Sequence, residues 1–390
     1  MEGGERRAGS GERGEGSEGD ICGAKVFSGV IEPQTIAAVQ EAVRTYSQLM
    51  MRGGGSKSGL STPRDANVTV LDMNGLRGVV EYEPNEFVFT ALAGTPVAEV
   101  VAMLAEHGQY LPFDPPFSGA GATLGGAVAS GLSGPGRYRY GGVRDFVIGV
   151  RFVDGLGQLV RGGGKVVKNA AGFDLPKLMV GSLGRLGALV ELSFKVFPKP
   201  AAFATVRVDY LSLAAAIEAM AILVTKPLDI EAVDLEPSST GAGLWVRIGG
   251  REDQLEPRMR RLQGLLGDGE ILLGNAEQSY WQGISEFQWV GNGETLVKTP
   301  LTAVQIVAFD RKLADLDVRR RYSVAGNVAW VALPKDGQVA PLDEALKTLG
   351  LAGLAIRGAV SGPLLGVRTS EPFYRRVKQT LDPDGRFIGP

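Results

Sequence analysis

Glycine recurs through residues 121–197 in short clusters, each held between apolar segments, and one more cluster lies upstream at Arg52-Gly53-Gly54-Gly55-Ser56-Lys57. A residue without Cβ can adopt positive φ and lets its backbone approach a flat ligand or a phosphate. One such loop is a turn. Several in one region point to a long ligand touched by backbone along its length. The chain has 56 glycines in 390 residues, about twice average usage and without a collagen period, so the excess belongs to loops.

Composition narrows the chemistry. Formal charge is −2, which argues against a general nucleic-acid binder. One cysteine (Cys22) and one histidine (His107) exclude a disulfide framework within the chain. They also exclude zinc or iron–sulfur sites that need several Cys and His from this chain. Redox chemistry then requires an organic cofactor, or metal held by another subunit. No metal site is expected. The cysteine content suits a cytoplasmic protein. Residues 1–20 hold almost no apolar side chain and are expected to be disordered. Arg6-Arg7 is followed by no apolar stretch, so a twin-arginine signal is discarded, and no run is long enough to span a membrane.

Periodicity predicts a helix over 33–50, with Ile36, Val39, Val43 and Leu49 on one face. Short strands are expected at 68–71, 79–83 and 87–93. Thr95 is read as the N-cap and Pro96 as the first residue of the next helix. A hairpin is expected from 146–153 and 158–160, and 188–196 alternates as a strand. Pro198 and Pro200 mark a boundary. Beyond it, strand-like runs (204–210, 244–248, 328–333) alternate with helix-like ones (211–224, 254–266, 342–349), as in an α+β domain with an antiparallel sheet. A short helix at 374–381 precedes an irregular tail.

The loops admit competing readings. Residues 52–58 fail as a Walker loop, because Ser56 separates Gly55 from Lys57 and no helix is expected to follow. What survives is an anion nest with Ser56, Ser58 and Lys57 as added donors, or equally a flexible turn. Residues 119–126 resemble a dinucleotide fingerprint, yet the preceding Leu111–Phe117 stretch with three prolines cannot be a central strand, so a Rossmann fold is rejected. A tight turn and a small-residue helix over 125–132 remain. Arg137-Tyr138-Arg139-Tyr140-Gly141 is read as a loop beside the cofactor or a solvated turn. Lys168–Asp174 leads toward Gly181, Gly184 and Gly187, either a helix end before a strand or a turn whose amides clasp the cofactor.

In order and spacing these segments resemble the vanillyl-alcohol oxidase/para-cresol methylhydroxylase (PCMH-type) FAD-binding family over about residues 28–200. The likeness rests on RGGGSKS (52–58), LDMNGLRGVVEYEP (71–84), AGTPVAEVVAMLAEHGQYLPFDPP (93–116), TLGGAVASGLSGPGR (123–137) and the segment 143–200. Within that family they are most similar to the FAD-binding subunits of bacterial glycolate oxidase. The resemblance implies an α+β architecture: a two-subdomain FAD-binding domain over 21–199, a cap domain with an antiparallel sheet over 200–372, and a tail over 373–390 that returns to the FAD domain. It also implies that Gly53, Gly54, Gly55, Ser56 and Lys57 hold the FAD pyrophosphate. Gly121, Ala122, Thr123, Leu124, Gly125, Gly126, Ser130 and Gly131 would line phosphates and flavin, and Gly184, Gly187 and Val190 the adenine or ribityl portion.

The second half departs from that family: Lys298 stands where an arginine is expected, and Val328-Ala329 where a polar-basic pair is usual. His107 matches no position of covalent flavin attachment, so FAD is expected to be non-covalent. Arg247 and Lys298 are read either as clamps for a substrate carboxylate or as solvated charges. No catalytic acid or base stands out. The resemblance therefore implies a flavoprotein subunit taking part in oxidation of glycolate to glyoxylate, beside a larger FAD-bearing 2-hydroxy-acid dehydrogenase subunit and an iron–sulfur subunit. Membrane association would come only through those partners. The alternatives are a self-sufficient FAD-linked 2-hydroxy-acid dehydrogenase and a non-redox structural subunit without FAD.

Overall fold

The computed structural model describes residues 24–27, 29–62, 67–164, 173–316, 318–335, 337–358, 360–368 and 371–388. The tail expected to be disordered, Cys22 and most of the Lys168–Asp174 motif lie outside them. The strands are β1 (Ala24–Phe27), β2 (Val30–Pro33), β3 (Leu49–Arg52), β4 (Thr69–Asp72), β5 (Val79–Glu83), β6 (Val88–Leu92), β7 (Gln109–Tyr110), β8 (Val147–Val153), β9 (Leu159–Gly163), β10 (Ala188–Lys195) and β11 (Phe197–Pro198). After Pro200 come β12 (Ala202–Tyr210), β13 (Ile230–Ser238), β14 (Gly241–Gly250), β15 (Glu270–Leu273), β16 (Thr295–Pro300), β17 (Arg319–Ser323), β18 (Val328–Leu333), β19 (Ala352–Arg357) and β20 (Leu364–Gly366). The helices are α1 (Ile36–Thr45), α2 (Ser58–Ser61), α3 (Val97–Ala105), α4 (Leu124–Ser130), α5 (Arg137–Tyr140), α6 (Leu175–Met179), α7 (Leu213–Val224), α8 (Glu252–Leu266), α9 (Gly274–Ser285), α10 (Ile306–Ala314), α11 (Ala340–Thr348) and α12 (Glu371–Leu381).

The first half holds two main sheets. One has the order β1-β2-β4-β3, with β2, β4 and β3 parallel. The other, β5-β6-β10-β8-β9, is antiparallel throughout. The second half is one antiparallel sheet of nine strands, β15-β12-β14-β13-β17-β18-β16-β19-β20. It is an α+β fold, as the sequence implied.

The nine-stranded sheet has two faces because its strands alternate. Val297, Ala329 and Val331 pack with the helices of the second half around Leu223, Met259, Phe309 and Leu346. Leu296, Val328, Trp330 and Ala332 face the other way, into one core with Phe113, Phe117, Phe146 and Phe194 of the first half. The halves therefore share buried apolar surface, which favours fixed docking over free hinging.

Four expectations need correction. The helix predicted to reach residue 50 stops at Thr45: Tyr46 turns extended and Leu49–Arg52 becomes β3, paired in parallel with Thr69–Asp72. A continuous strand ladder overrides local helix periodicity there. Thr95 is not an N-cap. Pro96 occupies that position with no side-chain bond, while the Thr95 hydroxyl accepts from Gly78 N–H (2.9 Å) and donates to Leu92 C=O (2.7 Å). A one-turn helix, α2, does follow Lys57. In β10, bulges at Leu189/Glu191 and Ser193/Phe194 break the simple alternation, so Val190 and Leu192 fall in different cores.

The chain end is fastened to the first sheet. Phe387 forms a parallel bridge with Leu49, and Arg386 Nη1 donates to the carbonyls of Val43 (3.0 Å), Arg44 (3.1 Å) and Tyr46 (3.3 Å). A cation thus satisfies the orphan carbonyls at the C-terminus of α1.

Candidate functional site

A groove with an empty volume of about 720 Å³, partly open to solvent, runs between the two sheets of the first half. Its floor is the arc that follows β3. Gly53, Gly54, Gly55, Ser56 and Lys57 all line it. None of their five consecutive N–H groups donates to an acceptor among the described residues. Buried or groove-facing amides left without protein partners call for an anion or water. Gly55 has φ +67°, and a Cβ there would meet nothing within 4 Å, so the backbone is bare toward the groove.

Lys57 is the charged member. It is 7% exposed, and its ammonium donates to Ser56 Oγ at 3.2 Å and lies 5.6 Å from the Phe117 ring centroid. No carboxylate stands within 4 Å of it among the described residues. Burial pulls its pKa down to about 8, and the charge of Glu286 partly opposes that fall. A buried cation without a counter-ion is costly, and an anionic ligand would remove the cost. Arg52, by contrast, is committed to Asp72 at 2.6 Å.

The opposite wall comes from α4. Thr123 is its N-cap, accepting from Gly126 N–H at 3.2 Å. Thr123, Gly125, Gly126 and Ser130 line the groove, and Gly184 and Gly187 close one end. The close approach of the two walls requires glycine: a Cβ on Gly53 would stand 2.3 Å from Thr123 Oγ1, and one on Gly54 would stand 1.7 Å from the Gly121 carbonyl. Gly121 therefore shapes the arc from behind. Ala122 and Leu124 are core residues. Gly131 ends α4 in the left-handed region and packs against Gly181. Val190 is fully buried in another core. These five do not reach the groove wall. Sequence reasoning missed Met51, Leu60, Met73, Ala93, Ala129, Leu183 and Leu189, which supply its apolar surface. Their only signal is apolarity, which a core gives equally.

The remaining candidates separate cleanly. His107 is exposed, edge-on to the Tyr82 ring at 5.3 Å, and away from the groove. Arg247 is paired side-on with Glu277, Nε to Oε1 at 2.7 Å and Nη2 to Oε2 at 3.2 Å, so most of its charge is already compensated, and it does not line this groove. Lys298 has no carboxylate within 4 Å among the described residues. Burial, with Arg137 nearby, lowers its pKa to about 8. It shares a sheet face with Leu296, toward the first half. The Arg137–Tyr140 segment is α5, which docks on the second half: Tyr140 Oη donates to Glu231 Oε1 at 3.1 Å, and Arg139 pairs with Asp229 and Glu231 at 3.4 and 3.5 Å. Among the described residues no group of three metal-ligating side chains occurs, and no helix is long and apolar enough to cross a membrane.

The chemistry of the lining suits a dinucleotide: bare amides and a lysine at one point for phosphates, and apolar walls beyond. Residues 27–163 match the family described as FAD binding domain. The chain is 35% identical over 354 residues to the glycolate oxidase subunit GlcE of Escherichia coli (strain K12), covering 90% of this chain and 93% of that one. It is 26% identical over 264 residues to the glycolate oxidase subunit GlcD of Bacillus subtilis (strain 168), covering 62% of this chain and 56% of that one. Among solved structures, alkyldihydroxyacetonephosphate synthase aligns over 91% of this chain and 74% of its own with a TM-score of 0.67 and 16% identity, a likeness of fold. The chain thus carries an FAD binding domain and belongs to the GlcE family of glycolate oxidase subunits.

Proposed function

We propose that the chain binds FAD non-covalently in the groove, with the pyrophosphate on the 53–57 amides and Lys57. The remaining groove-lining glycines and Thr123 would pass along the ribityl and flavin. In this reading it is a flavoprotein subunit of a complex that oxidises glycolate, or a closely related 2-hydroxy acid, to the 2-oxo acid. Bound FAD supplies the two-electron acceptor for that chemistry. The observation that carries the reading is the run of five N–H groups with no acceptor among the described residues, beside a buried lysine whose charge Glu286 compensates only in part.

Among the described residues the groove's ionisable lining is Arg52 and Lys57, with neither carboxylate nor imidazole. Removal of a hydroxyl proton needs a base. That shortage supports a division of labour in which a larger FAD-bearing dehydrogenase subunit and an iron–sulfur subunit complete the reaction. Lys298 is the cation left for a carboxylate. The assembly is cytoplasmic in this reading, with any membrane contact made through partners.

Reconstitution with FAD followed by gel filtration tests binding, and a colourless product overturns it. Co-purification on tagged chain tests the partners. Rapid bleaching of the flavin by glycolate in the isolated chain would instead establish a self-sufficient dehydrogenase.

A further inference from the structure

The loop joining β7 to α4 is gripped from two sides. On the cofactor side, Gly121 and Thr123 touch the 53–57 arc so closely that Cβ atoms on Gly54 or Gly53 would overlap them. Two surfaces at that spacing must move together, because close-packed interiors do not deform freely. On the other side stands the cap. Glu286, at the C-terminal end of α9, accepts from Gly119 N–H at 2.8 Å and Ala120 N–H at 3.2 Å. The neighbouring Ser285 carbonyl accepts from Phe117 N–H at 3.2 Å, and the Phe117 ring stacks on Phe287 at 4.9 Å.

Between these grips the loop is strained. Asp114 (φ +46°) and Phe117 (φ +64°) both occupy the left-handed region without being glycine. Each costs about 1–2 kcal/mol, and such strain persists only where surroundings hold it. Asp114 is held within the first half, its Oδ2 accepting from Gly136 N–H at 2.8 Å. Phe117 is held by the cap. The carboxylate of Glu286 also lies close enough to Lys57 to favour its charged form.

We infer that Glu286 is a positioning residue through which docking of the cap sets the shape of the phosphate cradle, so that cap docking and FAD retention are coupled. The inference rests on the cradle reading above and extends it: half of the device that shapes the cradle belongs to the cap. Coupling of this kind is reciprocal. Bound FAD therefore tightens the cap, and a loosened cap releases FAD.

The test uses the full chain. FAD affinity is measured by flavin fluorescence, and amide hydrogen exchange across 117–121 is followed with and without FAD. Glu286→Ala loses two charge-assisted bonds and is expected to weaken FAD binding at least about tenfold. Exchange at Gly119 and Ala120 should rise in the cofactor-free variant. Glu286→Gln keeps a neutral acceptor and should fall between Ala and wild type. Glu252→Gln, exposed on α8, should change neither readout. If Glu286→Ala unfolds, Glu286→Gln at unchanged melting temperature decides the matter. Wild-type chain that binds no FAD would remove the cradle reading and this inference with it. Wild type that binds FAD, with Glu286 variants of equal affinity and equal exchange, overturns this inference alone.

Discussion

Replacing Lys57 by methionine should make the cofactor-free chain more stable while weakening its hold on FAD. The lysine is 7% exposed and unpaired with any carboxylate within 4 Å among the described residues. The fall of its pKa from 10.5 to about 8 is worth about 3 kcal/mol of charge burial. The Phe117 ring at 5.6 Å returns about 0.5–1 kcal/mol of that. Methionine fills a similar volume without charge, so a net gain of about 2 kcal/mol is expected at pH 7. The pH dependence has a definite sign. Between about 8 and 10.5 the unfolded chain holds one more proton at this site than the folded one. Stability from this group therefore rises with pH across that window, and the penalty is complete below it. Urea unfolding of the cofactor-free wild type and Lys57→Met at pH 7, and again at pH 9.5, reads the difference, which should shrink at the higher pH. Flavin fluorescence should show FAD affinity weakened about 10- to 100-fold, the worth of a charge-assisted hydrogen bond. A variant less stable than wild type at pH 7, with unchanged FAD affinity, would refute the account of Lys57 as a buried charge awaiting an anion.

Gly54→Ala drives a Cβ to 1.7 Å from a backbone carbonyl, a conflict that no side-chain rotation relieves. It should cost about 1–3 kcal/mol and weaken FAD binding, read by thermal melts and flavin fluorescence. Gly55→Ala meets open space and pays only for its φ of +67°, about 1–2 kcal/mol; should it prove the more destabilising of the two, the packing account fails. Thr123→Val removes the N-cap of α4 and should lower stability by about 1 kcal/mol, seen as a shifted urea midpoint. Lys378→Met takes donors from the carbonyls of Arg185 (2.7 Å) and Phe387 (2.6 Å) and removes the counter-ion of the buried Asp382 carboxylate, which keeps only the backbone N–H groups of Arg386 (2.9 Å) and Phe387 (2.8 Å). A loss of about 3–5 kcal/mol is expected, with earlier proteolysis of the chain end as a second readout.

The sequence carried the α+β division and the order of the glycine loops, because each rests on local signals. Pro198 and Pro200 break the chain where the first sheets end, and the Val147–Val153 and Leu159–Gly163 hairpin follows from its own turn. What it hid is non-local. Leu49–Arg52 reads as the last turn of a helix, and only its ladder with Thr69–Asp72 makes it a strand. The carbonyls that end α1 are satisfied by Arg386, over 340 positions away. Thr95 followed by proline has every mark of a cap, yet its hydroxyl serves Gly78 and Leu92 across the sheet. The pairing of Arg247 with Glu277 likewise joins two elements whose spacing in the chain carries no charge pattern.

The glycines themselves divide into two kinds, and the division changes what they prove. Gly53, Gly54 and Gly125 are required by contacts inside the protein, with Thr123, Gly121 and Ala93 respectively. A subunit that had lost its cofactor would still need them in order to fold, so their retention alone does not argue against a purely structural role. Gly55 is different: nothing in the described protein stands where its Cβ would be. The same holds for the amides around it, which have no protein acceptor among the described residues, and for the Lys57 charge, whose burial Ser56 and Phe117 offset only in part. Features that the described protein does not itself explain and that line one groove are explained by a ligand that satisfies them together. The case for FAD rests on that small group, more than on the abundance of glycine that first draws attention.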